Sequence, residues 1–280
     1  MRKKGRRKGS GGWWATEPPT LYRLRGGDIA CCDALTFLSS MRTETADIVF
    51  LDPPFNLGKP YGRRAARADR LAQDEYFAYM TQVLSQATRV LKHGGALYLY
   101  HIPRWAIRFA STLAPQLSLR HWIAISMKNG FPRRNYLYPA HYCLLYFTKG
   151  EPKIFSRPKI APSRCRHCRA YVKDYGGYER FVRNGINLSD IWDDISPVRH
   201  SKYKHRKSNE LPILVLRRVV SISGKRGGLL VDPFAGAGTS LVAAQESKMR
   251  YVGGDSVPGY CRLMIRRLDA PTKRNVKGRG

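Results

Sequence analysis

Strand-length apolar runs alternate with helix-spaced segments along most of this chain. That alternation restricts it to a layered α/β fold with a largely parallel sheet. Strands are expected at residues 21–29, 47–51, 96–101, 120–127, 141–148, 229–231 and 251–253. Helices are expected at 33–41, 76–91, 105–113, 211–222, 240–247 and 260–268. The helix over 76–91 should stop at His93-Gly94-Gly95, and that over 211–222 at Gly224. Residues 151–206 break the pattern, being rich in basic residues, Gly, Pro and aromatics, and read as an inserted recognition region. The expected organisation is therefore a disordered basic arm (1–20), two halves of one α/β domain (21–150 and 207–270) around the insert, and a basic tail (271–280).

Two strand ends carry chemistry. In the first, the run Ile48-Val49-Phe50-Leu51 ends in Asp52-Pro53-Pro54-Phe55, a carboxylate followed by a stiff turn and a ring. A basic, apolar-poor loop over 56–74, with Lys59, Arg63, Arg64, Arg67 and Arg70, comes next. In the second, Val231-Asp232-Pro233-Phe234-Ala235-Gly236-Ala237-Gly238-Thr239-Ser240 joins a strand to a helix. Two glycines let the backbone turn tightly and approach a ligand, and the helix that follows offers free N–H groups. About twenty residues on, the next strand ends at Asp255, placed to accept hydrogen bonds from a ribose diol. Tight strand–helix packing is the plainer reason for Gly236 and Gly238. The third glycine of a dinucleotide fingerprint and the Gly-Lys-Ser/Thr of a phosphate loop are both missing. S-adenosylmethionine, which has no phosphate, fits that lack better than NAD or ATP.

Charge bounds the partner. Lys plus Arg number 50 and Asp plus Glu 20, a formal charge of +30. The first twelve residues hold six of these charges and the last ten hold four, so the body keeps +20. Such an excess repels itself unless it meets a polyanion, which points to nucleic acid. No apolar run is long enough to span a membrane, and no apolar stretch follows the basic N-terminus as in a secretory signal. Six cysteines, two of them adjacent, do not form a secreted disulfide framework and suggest a reducing compartment.

Together the two motifs resemble the amino-group DNA methyltransferases. Asp52-Pro53-Pro54-Phe55 is similar to their catalytic tetrapeptide, and Asp232-Pro-Phe-Ala-Gly-Ala-Gly238 to their S-adenosylmethionine loop. The order, with the catalytic motif first, the insert next and the cofactor loop last, resembles their circularly permuted β-group. The likeness covers residues 21–270. It implies a Rossmann-like fold with a seven-stranded, mostly parallel sheet. It also implies a catalytic role for Asp52, Pro53, Pro54 and Phe55. Cofactor contacts are implied for Asp232, Phe234, Ala235, Gly236, Gly238, Thr239 and Asp255. Gly27-Asp28 looks like the group's early Gly-Asp, and 91–95 like its Leu-Lys-x-Gly-Gly. Lys207-Ser208-Asn209-Glu210-Leu211 stands where the group has a Lys-Pro-x-x-Leu helix start, which would place Lys207 and Asn209 against the cofactor; Ser208 replaces the proline. Double-stranded DNA, a homodimer, a cognate restriction endonuclease and a prokaryotic or phage cytoplasm are implied in the same way. Asp at the first tetrapeptide position is commoner in the adenine-N6 enzymes, Ser in the cytosine-N4 ones, so adenine is the first expectation.

The chemistry explains the residue types. An exocyclic amine is a poor nucleophile because its lone pair is delocalised into the ring. The Asp52 carboxylate can accept one N–H and the Pro53 carbonyl the other, drawing the nitrogen toward tetrahedral geometry. The target base must leave the duplex, and Phe55 gives it a face to stack on, worth roughly 1–3 kcal/mol. A cytosine-C5 mechanism would use a Pro-Cys pair, and no cysteine here follows a proline. RNA or protein-glutamine methylation can use a similar tetrapeptide, and a basic DNA-binding protein on an inactive scaffold is the non-enzyme reading. Asp28 and Asp33 each suit either a pocket role or a helix N-cap. Cys165-Arg166-His167-Cys168 is half a zinc site, which His200 and His205 could complete; free thiols or a redox pair are the alternatives.

Overall fold

A computed structural model of the chain describes residues 12–57, 71–126, 134–135, 137–162, 164–165, 167–168, 170, 184–195 and 210–269. The elements run β1 (Leu21–Arg23), β2 (Gly27–Ala30), α1 (Ala34–Ser40), β3 (Ala46–Leu51), α2 (Gln73–Val90), β4 (Leu91–His101), α3 (Pro103–Leu113), β5 (Ser118–Ser126) and β6 (His141–Thr148). They continue with β7 (Lys159–Ile160), β8 (Ile186–Asn187), β9 (Ile191–Trp192), α4 (Ile213–Ser223), β10 (Leu229–Asp232), α5 (Thr239–Glu246), β11 (Arg250–Gly254) and α6 (Pro258–Asp269).

Alternation along the central strands builds three layers. Ile48 and Phe50 of β3 face one way with Tyr98 and Tyr100 of β4, under Val215 and Val219 of α4, Leu241 of α5 and Met264 of α6. Val49 and Leu51 face the other way with Leu97 and Leu99, under Phe37 of α1, Met80 and Leu84 of α2 and Phe109 of α3. Among the described residues the sheet has nine strands in the order β1-β2-β11-β10-β3-β4-β6-β5-β9. The run from β2 to β4 is parallel, whereas β6 lies antiparallel between β4 and β5.

The seven expected strands are present, with two short ones added at the edges. One arises because the run 21–29 folds back on itself: the Leu24 N–H donates to Gly27 O at 2.8 Å and β1 pairs antiparallel with β2. Gly27 must lack a side chain, since a Cβ there would stand 1.8 Å from the Tyr251 carbonyl oxygen. The other edge strand, β9, comes from within 151–206 and pairs parallel with β5. Trp192 and Ile195 bury into the core, so this part of the insert is integral to the domain. The link between α2 and β4 also differs from expectation. Leu91 pairs with Ala46 and the ladder resumes only at Ala96 with Ile48, so the strand starts before the glycines and bulges around them.

Residues 12–20, expected as part of a disordered arm, pack on α1. Ala15 and Thr16 donate N–H bonds to Ser40 O, and the Trp14 ring meets Phe37 edge-on at 5.4 Å. At the other side of the sheet edge, the C-terminal ends of β2, β11, β10, β3 and β4 lie together. Open α/β sheets bind ligands there.

Candidate active site

Asp52 follows the last residue of β3 at that edge, and its charge reaches Tyr100 and Tyr142, whose phenols burial already pushes up. Phe55 turns back into the protein. It is only 8% exposed and its ring lies 4.7 Å from His101 and 5.8 Å from both Tyr100 and Tyr142. The ring is thus part of an aromatic wall rather than the open face expected from sequence. Asn56, with φ +54°, ends the turn, and its amide donates to Leu71 O at 2.9 Å, joining the two described ends of the basic loop. Residues 58–70 of that loop, with Lys59, Arg63, Arg64, Arg67 and Arg70, lie outside the described residues.

The second motif forms the facing wall. Asp232 ends β10 fully buried; Oδ1 accepts the Phe234 N–H at 2.9 Å and Oδ2 accepts the Ser240 hydroxyl. Burial raises its pKa to about 7, with Asp52 and Asp255 adding repulsion, against these two donors. Gly238 has φ +78° and a Cβ there would meet Met264 Cγ at 2.8 Å, so both the turn and the approach of α6 require glycine. Asp255, after β11, accepts the N–H of Gly236 at 3.2 Å and of Val257 at 2.8 Å.

Between these walls lies a narrow cleft open to solvent. Asp52, Glu210 and Asp232 supply its carboxylates, while Phe234, Ala235 and Thr239 come from the loop and Leu211 and Leu216 from α4 and its approach. The fold therefore brings Asp52 of the tetrapeptide to the loop, while Pro53, Pro54, Phe55, Gly236, Gly238 and Asp255 are not among the residues lining the cleft. It also adds Glu210, which the sequence marks only as part of a helix start. Glu210 accepts the Thr239 hydroxyl at 3.2 Å and pairs with Arg267 at 3.6 Å, and Arg267 also donates to Ala237 O. Glu210 and Arg267 carry no local motif signature, so only packing reveals them.

Other expected residues lie elsewhere. Asp28 sits two residues before the end of β2, on the α1 side, 1% exposed, and accepts the Trp14 indole N–H at 2.8 Å. Burial raises its pKa against that bond. It does not line the cleft. Asp33 caps α1, its carboxylate accepting the N–H groups of Leu35 and Thr36. Lys207 and Asn209 lie outside the described residues. The Cys165 thiol is held below its usual range by the backbone N–H groups of Cys168 and His167. Among the described residues no group of three His, Cys, Asp or Glu side chains could hold a metal, and His200 and His205 fall outside them.

A family model described as DNA methylase, of the N6/N4 class, matches residues 46–266. The chain belongs to the N6/N4 DNA methylase family. Within that family it is 39% identical over 238 residues to the type II methyltransferase M.BamHI of Bacillus amyloliquefaciens, covering 84% of this chain and 55% of that relative. The chain thus spans about half the length of M.BamHI. It is 23% identical over 256 residues to the DNA adenine methyltransferase YhdJ of Escherichia coli K12, covering 90% of this chain and 85% of YhdJ. Its fold is similar to that of the PvuII DNA methyltransferase, which is cytosine-N4-specific. The TM-score is 0.67 at 14% identity, over 94% of this chain and 92% of that one. It is also similar to a putative DNA modification methylase of Thermus thermophilus complexed with S-adenosyl-L-methionine. There the TM-score is 0.56 at 21% identity, over 86% of this chain and 93% of that one.

Proposed function

We propose that this methylase transfers a methyl group from S-adenosylmethionine to an exocyclic amine of a DNA base turned out of the duplex, adenine N6 or cytosine N4. The observation that carries the proposal is the meeting of Asp52 and Asp232, remote in sequence, on one cleft. The donor set suits the cofactor. Among the described residues lining the cleft there is no Lys or Arg, although the chain carries +30, and Asp52 is among them, an arrangement that suits a cationic ligand better than a phosphate. Asp255 takes one backbone N–H on each oxygen, and a carboxylate has the capacity to accept ribose hydroxyls as well. Lys207 and Asn209 complete the cofactor contacts in this reading.

When bound, S-adenosylmethionine supplies a methyl group on a positively charged sulfur. The residues of this chain do the rest by position. Asp52 accepts one hydrogen of the target amine and the Pro53 carbonyl accepts the other, aiming the lone pair into the cleft. Phe55, Tyr100 and Tyr142 form the aromatic wall beside the base. Residues 151–206 read the target sequence, and the basic body binds the phosphates of duplex DNA. A homodimer, a partner restriction endonuclease and action in a prokaryotic or phage-infected cytoplasm belong to the same proposal. Among the described residues no helix is long and apolar enough to cross a membrane.

Nucleoside mass spectrometry tests it. Unmethylated DNA is incubated with S-adenosylmethionine and either the wild type or Asp52→Ala, then digested. Methylated adenine or cytosine with the wild type alone is the expected result, and its identity assigns the base. No product despite cofactor binding would move the substrate to RNA or protein. No cofactor binding would leave a DNA-binding scaffold.

A further inference from the structure

Behind the Asp52–Phe55 turn, the buried side chains of His101 and Tyr76 form a hydrogen-bonded chain to Pro54 O whose direction can be read. His101 ends β4 and is fully buried. Its Nδ1 lies 2.9 Å from the Ile102 backbone N–H, which can only donate, so Nδ1 carries no hydrogen. Burial lowers the pKa of His101 to about 3, so the ring is neutral and its one hydrogen sits on Nε2. Nε2 lies 2.8 Å from the Tyr76 hydroxyl, and that hydroxyl lies 2.5 Å from Pro54 O. A carbonyl only accepts, so the single Tyr76 hydrogen goes to Pro54 and the oxygen receives from His101. The opposite tautomer would orphan the Ile102 N–H and ask one hydroxyl hydrogen to serve two acceptors.

We propose that Tyr76 and His101 are positioning residues for methyl transfer: the chain from His101 Nε2 through Tyr76 to Pro54 O fixes the Pro-Pro turn from behind. The inference rests on the amine-methylation reading of this same site. The turn is covalently anchored to β3 at Leu51, and the proline rings fix two φ angles. Beyond the prolines the chain is tied at Asn56, through Leu71 O, and the Pro54 carbonyl between these two anchors is held by Tyr76. Tyr76 supplies that hold from α2, its own ring packed on Trp105 at 4.8 Å. His101 holds the turn twice, through Tyr76 and through its ring contact with Phe55 at 4.7 Å. Two rigid elements of the scaffold thus set the direction of the Pro53 carbonyl and the plane of Phe55. A misplacement of about 1 Å in such an arrangement costs on the order of 100-fold in rate.

The test measures single-turnover methyl transfer, cofactor and DNA dissociation constants, and the ¹⁵N tautomer of His101. The variants are Tyr76→Phe, His101→Leu and His101→Gln. Gln can place an N–H where His101 Nε2–H stands; Leu cannot. Tyr76→Phe and His101→Leu should slow transfer about 10- to 100-fold, with both dissociation constants within about threefold of wild type. His101→Gln should recover most of the rate. The wild-type ring should show hydrogen on Nε2. A Tyr76→Phe rate within about twofold of wild type, equal losses in His101→Leu and His101→Gln, or hydrogen on Nδ1 would each overturn the proposal. Should Tyr76→Phe fail to fold, the wild-type tautomer and the Gln–Leu comparison decide. A wild type that transfers no methyl would defeat the functional reading, while the tautomer would still report on the chain.

Discussion

Asp255 ties the glycine loop to the neighbouring strand, its Oδ2 accepting the Gly236 N–H at 3.2 Å while Oδ1 accepts the Val257 N–H at 2.8 Å. One carboxylate therefore satisfies two backbone donors, one in the glycine loop and one just beyond β11. Asp255→Ala leaves both without that acceptor and removes the proposed ribose contact. Isothermal titration should show cofactor affinity at least about tenfold weaker, the loss of one good charge-assisted bond. Unchanged affinity would remove Asp255 from the site.

Asp232 should give stability a pH dependence of unusual sign for an acid. Its folded pKa is raised to about 7, first by burial. The stabilisation from its bound proton is complete below the unfolded value near 4 and is lost as pH rises through about 7. Asp232→Asn cannot lose a proton there. In urea titrations the wild type should therefore lose stability relative to Asp232→Asn between about pH 4 and 7. A flat difference would show that Asp232 is ionised throughout.

His101 should behave in the opposite sense. Its folded pKa is lowered to about 3 by burial. Its contribution is complete above about 6.5 and is lost as pH falls toward 3, at about 1.4 kcal/mol per pH unit. The difference in stability between wild type and His101→Gln should shrink along that slope below about pH 6.5. A pH-independent difference would mean that His101 is protonated in the fold.

Arg218 of α4 secures the inner end of the insert. It is 5% exposed, forks onto both carboxylate oxygens of Asp194 and lies over the Trp192 ring at 5.1 Å. Asp194→Ala leaves a guanidinium buried without its partner. A fully buried pair broken in this way costs about 3–5 kcal/mol, and Asp194, with its side chain 40% exposed, should come lower, at about 2 kcal/mol. Chemical denaturation measures this. Double substitution to Arg218→Met with Asp194→Ala should recover part of the loss, because no buried charge remains.

The legible parts of this chain were those encoded by neighbours in sequence. The residues of β3, β10 and β11 announce themselves by apolar runs ending in an acid, and α1 by its Asp33 cap. Illegible parts depended on distant partners. β9 is two residues long and becomes a strand only because β5 offers an edge; Trp192 becomes core only because α4 covers it. The fold-back before Gly27 is closed by the Leu24–Gly27 hydrogen bond, and Gly27 can carry no side chain because the Tyr251 carbonyl, remote in sequence, lies so close.

By itself the sequence determined the three-layer α/β scaffold, the order of its two motifs and the turns that carry them, because alternation, proline rings and glycine act over a few bonds. Only the tertiary structure decided which polar groups share the cleft. From sequence Asp52 reads as a pocket acid, and Asp28 as either a pocket acid or a cap. Yet Asp28 lies two residues short of its strand end and on the face covered by Trp14 and α1, while Asp52 lies just beyond its own strand end, beside Asp232 and Glu210. Side-chain direction alternates with every strand residue, so a site built at strand ends is fixed by register and packing, and those are set by partners far along the chain.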